Sequence, residues 1–177
     1  MVLKLYKQVA GAFLYWEGWD HDGTVTIHWG QVGDRGNNRD YRAQPREDPE
    51  TVIDREARAP RADGYEEIPI ESHAQLIVQY RLAGWGGVDD LQKRERVEDA
   101  LNDCLGWTGN GYCDGGDIGS GTINAFSFVI DPILATHSIV TALRACNLLD
   151  GAIIAVETEQ GFNVLWPADF DGEFDYF

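Results

Sequence analysis

The chain opens on short apolar runs set apart by glycine. Leu3 to Val9 and Phe13 to Trp19 flank Gly11, and after the pair Asp22, Gly23 the run Thr24, Val25, Thr26, Ile27, His28, Trp29 alternates polar and apolar positions with β-branched enrichment. Period-two alternation places successive side chains on opposite faces of a strand, so this region reads as three antiparallel strands with Val25, Ile27 and Trp29 on one face. Gly33 to Pro49 is polar, rich in arginine and holds two prolines, which makes it a short strand or loop. Asp48, Pro49 and Glu50 then supply an N-cap, a proline at the first helical position and an early acid. A helix is expected from Pro49 to about Arg58, with Val52, Ile53 and Ala57 as its buried stripe.

From Gln75 the pattern resets. Gln75 to Leu82 is an apolar strand, Gly84 to Gly87 breaks it, and Val88 to Leu105 carries Leu91, Val97, Ala100, Leu101, Cys104 and Leu105 at helical spacing. Gly109 to Gly121 is glycine-rich and reads as a loop. Ile123 to Ile130 is a buried strand, Asp131 and Pro132 open a helix running to about Leu148, Gly151 to Val156 is another strand, and Gly161 to Trp166 is its hairpin partner. The order β-α-β-β-α-β, with the glycine-rich loop inside the central hairpin, predicts a ferredoxin-like sandwich. The fold class is therefore α+β: an N-terminal antiparallel sheet with one helix over residues 1–72, followed by a ferredoxin-like α+β sandwich over residues 73–177.

Charge narrows the choice of partner. The chain carries a formal net charge of −16. Residues 1–73 hold nine basic and fourteen acidic side chains, whereas residues 74–177 hold five and sixteen. A surface so acidic repels polyanions and favours a basic protein. No apolar run approaches the roughly 20 residues of a membrane span, and the first residues lack a secretory pattern, so a cytoplasmic protein without membrane contact is expected. Cys104, Cys113 and Cys146 match neither a disulfide framework nor a paired zinc motif, and read as packed, reduced thiols.

Phe13 to Gly36, with Trp29, Gly30 closing a hairpin and Gly64, Tyr65 following the first helix, resembles the WGR domain. That family takes its name from a Trp-Gly-Arg triplet and occurs in DNA-dependent poly(ADP-ribose) polymerases and in bacterial proteins. The resemblance covers about residues 3–70, and the triplet here reads Trp29, Gly30, Gln31. It implies an antiparallel sheet with one packed helix, a last strand after Gly64, Tyr65, and a DNA-end contact through Trp29 and the third position. Glutamine at 31 brings hydrogen bonds but no charge.

The candidate binding residues follow from these readings. Trp19, Trp29, Gln31, Arg35 and Arg39 form the N-terminal set, with Arg42 and Arg46 extending the arginine run; Asp34, Asp40, Glu47 and Asp48 lie among these arginines and offset their field. Asp114 and Asp117 are oxygen donors in the glycine-rich segment, although the segment matches neither a phosphate loop nor a calcium loop. Phe174 and Tyr176 belong to the acidic, aromatic end of the chain, whose composition suits docking on a basic groove. His21, His28, His73 and His137 lie in different elements without triad or ligand spacing, and Cys113 beside Asp114 is a nucleophile only where a histidine reaches it. No catalytic residue, metal or cofactor is expected. The reading is a binding protein whose partner is a basic protein, in the manner of an immunity or inhibitor protein; nucleic-acid binding through the N-terminal half is the alternative, and a small Cys/Asp enzyme ranks last.

Overall fold

The computed structural model describes residues 2–42, 47–82, 84 and 86–175. Two compact units emerge: Met1–Glu71 together with Trp107–Gly109, and Ser72–Gly106 together with Asn110–Phe177.

The first unit is a four-stranded antiparallel meander, β1 (Val2–Val9), β2 (Ala12–His21), β3 (Thr24–Gln31) and β4 (Asn37–Arg42), followed by helix α1 (Pro49–Ala62). Ala10 and Gly11 join the first pair and Asp22 and Gly23 the second, all four at positive φ. Two-residue turns of that kind match the strand twist and fix the register. Asp48 caps α1 by accepting from the Glu50 amide at 3.2 Å, and Pro49 occupies the first turn. Val52, Ile53 and Ala57 face the sheet and close a core with Leu3, Leu5, Trp16, Val25 and Ile27. Trp29 shares that face, yet the core stops short of it and its side chain is 37% exposed. After Gly64 and Tyr65 the expected last strand reduces to a single bridge, in which Tyr6 and Glu66 exchange backbone hydrogen bonds of 2.7 and 2.9 Å.

The second unit runs β5 (Ala74–Arg81), α2 (Val88–Gly106), β6 (Gly111–Gly119), β7 (Thr122–Val129), α3 (Pro132–Ala145), β8 (Ile153–Thr158) and β9 (Gly161–Trp166). Its sheet order is β6-β7-β5-β8-β9, antiparallel throughout: the ferredoxin-like arrangement with a fifth strand added as a hairpin. Asp131 caps α3, accepting from the amides of Ile133 and Leu134 at 2.9 Å each. Leu76, Val78 and Tyr80 point to the helices and pack with Val97, Leu101, Leu105, Ile139 and Leu143. By alternation Ile77, Gln79 and Arg81 take the opposite face.

Two expectations are corrected here. The glycine-rich segment is a strand, not a loop: β6 pairs with β7 along its length, with a bulge between Cys113 and Gly115. Its glycines serve close approach, since a Cβ on Gly111 or Gly116 would run into the carbonyl oxygen of Phe128 or Asn124 on the neighbouring strand. Leu91 is 41% exposed and lies outside the buried stripe of α2, which begins at Val97. Among the described residues no helix is long and apolar enough to cross a membrane.

Candidate functional site

In the first unit, the sheet face opposite α1 carries buried polar groups. Glu17 on β2 and His28 on β3 are in register and both buried. His28 Nδ1 donates to Glu17 Oε1 at 2.7 Å, and Lys4 Nζ from β1 meets Glu17 Oε2 at 2.9 Å. On the other side of the ring, Nε2 lies 2.6 Å from the Arg35 carbonyl and 2.9 Å from the Tyr15 hydroxyl, which itself donates to the Asp34 carbonyl at 3.2 Å. A carbonyl only accepts, so the hydrogen on Nε2 is assigned by its partner. Burial, then the charges of Glu17 and Asp34, push the Tyr15 hydroxyl well above the ordinary tyrosine range.

Glycines allow this network to close. A Cβ on Gly30 would sit 2.8 Å from the Gly36 Cα and 3.1 Å from the Tyr15 hydroxyl oxygen, and one on Gly36, at φ +62°, would collide with that hydroxyl and with the Trp29 carbonyl. Trp29-Gly30 is thus a packing device, in which the chain doubles back on itself across Tyr15. Around His28 the rings of Trp19 and Trp107 meet edge to face, 6.0 Å apart, and both lie edge-on to the imidazole at 6.0 and 5.1 Å. Arg35 lays its guanidinium on Trp107 at 5.5 Å, a cation–π contact.

Chemically, a hydroxyl, an imidazole and a carboxylate joined in sequence have the connectivity of a nucleophile relay. The relay is closed here: Tyr15, His28 and Glu17 are all buried, and an Nε2 that donates to a carbonyl has no lone pair with which to take the Tyr15 proton. The network holds the Asp34–Arg35 turn in place instead. Sequence reasoning placed His28 in a strand without triad or ligand spacing and did not single out Glu17; the signal was a carboxylate on one strand opposite a histidine on the same face of the next.

The other predicted residues fall in separate places. Gln31 is exposed, and its carbonyl closes a turn with the Asp34 amide at 3.0 Å. Arg39 is ion-paired to Glu56 of α1 at 3.1 Å and rests on the Tyr41 ring at 4.6 Å. Arg46 and Tyr176 lie outside the described residues. Asp114 is exposed at the β6 bulge, while Asp117 accepts from Asn124 Nδ2 at 2.8 Å. Phe174 packs on Phe162 of β9.

Cys113 and Cys104 are poor nucleophiles. Burial pushes the Cys113 thiol up, and burial with the Asp103 charge pushes Cys104 up to about 12. Cys146, expected to be packed, is instead exposed at the end of α3. No cluster of three or more His, Cys, Asp or Glu side chains gathers among the described residues as a metal site would require. Comparison with protein-family models, with curated proteins and with solved structures returns no match.

Proposed function

We propose that the chain is a non-enzymatic binding protein whose acidic second unit engages a basic protein, in the manner of an inhibitor or immunity protein. The observation that carries this reading is a stripe on α2. Glu95, Asp99 and Asp103 recur at intervals of four, so they stand one above another on the helix. All three are exposed, and none has an ion-pair partner among the described residues. Like charges at that spacing cost about 0.2–0.5 kcal/mol per pair, so the stripe is a local liability to the helix. A basic surface laid against it relieves that repulsion and gains from the net charge around it, which also accelerates encounter.

The test is affinity capture from the native host with two controls. Expected is a retained protein of basic isoelectric point that elutes as salt rises and is not retained by Glu95→Lys, Asp99→Lys, Asp103→Lys. Retention by the charge-reversed protein, or captured proteins no more basic than the lysate as a whole, overturns the reading.

A second reading, nucleic-acid binding through the first unit, is favoured by one feature. Arg35 is exposed, stacked on an aromatic ring and without a carboxylate partner among the described residues, which leaves its charge available to a phosphate.

A further inference from the structure

On the helix-free face of the second sheet, three polar side chains form a row across adjacent strands. Gln79 on β5 is in register with Asn124 on β7, which is in register with Asp117 on β6. Gln79 Nε2 donates to Asn124 Oδ1 at 2.9 Å, and Asn124 Nδ2 donates to Asp117 Oδ1 at 2.8 Å. The row has one polarity. An ionised carboxylate only accepts, so Asp117 turns the Asn124 amide nitrogen toward itself, which leaves the Asn124 oxygen to orient the amide of Gln79. Gln79 and Asn124 are buried, so this orientation is held without competition from water.

The fixed amide of Gln79 then meets the main-chain carbonyl of Asp175 at 2.8 Å. Arg81, two residues along the same face, donates to the main-chain carbonyl of Glu173 at 3.0 Å. Between these two carbonyls Phe174 sets its ring against Phe162, with centroids 5.3 Å apart. The segment after β9 is therefore read through alternate carbonyls and one aromatic ring, while the side chains of Asp169, Asp171 and Glu173 stay exposed. Recognition of this sort takes affinity from main-chain hydrogen bonds, which any sequence offers, and selectivity from the pocket for the ring.

We propose that this face is a docking site for a short polypeptide segment bearing one aromatic anchor, and that residues 173–175 are its built-in occupant, which a partner segment of that chemistry displaces. The occupant follows β9 and takes part in none of the strand pairings among the described residues, so its release leaves those ladders intact. A cover in place nine-tenths of the time or more lowers the apparent affinity of a competing segment at least about tenfold. The proposal is independent of the acidic stripe on α2.

The experiment uses the full chain and a fluorescein-labelled peptide with the sequence of residues 168–177, followed by anisotropy. Phe174→Ala, which loosens the chain's own segment, is expected to bind the peptide at least tenfold more tightly than the unaltered protein. Adding Gln79→Met or Arg81→Gln to that variant is expected to remove the gain, and a peptide with alanine in place of its Phe174 is expected not to bind. Arg81 is exposed, so its replacement keeps the test usable should the buried Gln79 change weaken folding. Equal binding by the unaltered protein and Phe174→Ala makes residues 173–175 a fixed part of the fold, and a gain that survives Arg81→Gln puts the peptide elsewhere on the protein; either result overturns the proposal.

Discussion

Gly109 lies flat against the ring of Tyr15, at φ +59° and so close that a Cβ there would overlap the ring carbons. The segment Trp107–Gly109 belongs to the first unit although it is remote in sequence from that unit's strands. It covers Tyr15 and His28 with a glycine and an indole, and the Thr108 carbonyl accepts from the Gly33 amide at 2.9 Å. Gly109→Ala therefore adds a strained backbone to an overpacked contact, and a loss of about 2–3 kcal/mol is expected from the unfolding midpoint in urea. A chain ending at Ser72 lacks this cover; its Tyr15 and Trp19 are expected to show solvent-exposed fluorescence and fast amide exchange around His28. Unchanged stability in Gly109→Ala would mean the close approach is not maintained in solution.

Glu17 and His28 are hydrogen-bonded partners in a buried site. His28→Ala leaves Glu17 with Lys4 alone, and Glu17→Ala leaves His28 Nδ1 without its carboxylate, so each is expected to cost about 1–3 kcal/mol, and the double variant distinctly less than their sum. Additive losses in that cycle would show that the pair is not a unit.

Reactive thiols separate the cysteines by environment. At pH 8 a thiol pushed up to about 12, as Cys104 is, holds a thiolate in roughly one molecule in ten thousand, and Cys113 is raised in the same direction. Ellman's reagent is expected to find the exposed Cys146 quickly, the other two only after denaturant. Three thiols of equal rate in the folded protein would contradict their burial.

What the residues disclosed and what they hid follow one rule. Elements whose local chemistry and burial agree were legible: Asp48-Pro49 starting α1, Asp131-Pro132 starting α3, and the alternation that buries Val25 and Ile27. Where a long-range neighbour decides, single-chain reasoning went astray. Gly111 and Gly116 look like loop residues until the carbonyls of β7 take the space a side chain would fill. Glu17 and His28 become a site only through the register of β2 with β3. The seat of residues 173–175 on the second sheet likewise depends on Gln79 and Arg81, which lie far away in sequence.

Alkaline pH is expected to weaken the fold through its buried phenols. Burial raises Tyr6, Tyr15 and Tyr80 well above the usual value, so the folded state keeps protons that the unfolded chain releases near pH 10. The contribution is fully present below that unfolded value and is lost as pH climbs toward the folded ones. Stability should be flat to about pH 9 and then fall as pH climbs above the unfolded value. Urea midpoints at pH 7, 9, 10 and 11, with tyrosinate absorbance at 295 nm, measure both quantities. A midpoint that holds steady from pH 9 to 11 removes the argument.

The nucleic-acid reading stands or falls on Arg35. Arg39 already spends its charge on Glu56, whereas Arg35 faces solvent from a turn held by His28 and stacked on Trp107. Binding to a nicked or blunt duplex should therefore weaken about three- to tenfold in Arg35→Ala whatever the sequence, and less in Arg39→Ala. For every phosphate that the variant no longer neutralises, the slope of log affinity against log salt should flatten by about 0.9. Gln31→Arg, which supplies a guanidinium at the exposed position after Gly30, should strengthen binding and steepen that slope. A gel shift or anisotropy titration at low salt with micromolar protein decides: no complex with either duplex, or equal weakening by Arg35→Ala and Arg39→Ala, leaves the stacked arginine as a fastening of the Trp107 indole and the first unit without a phosphate site.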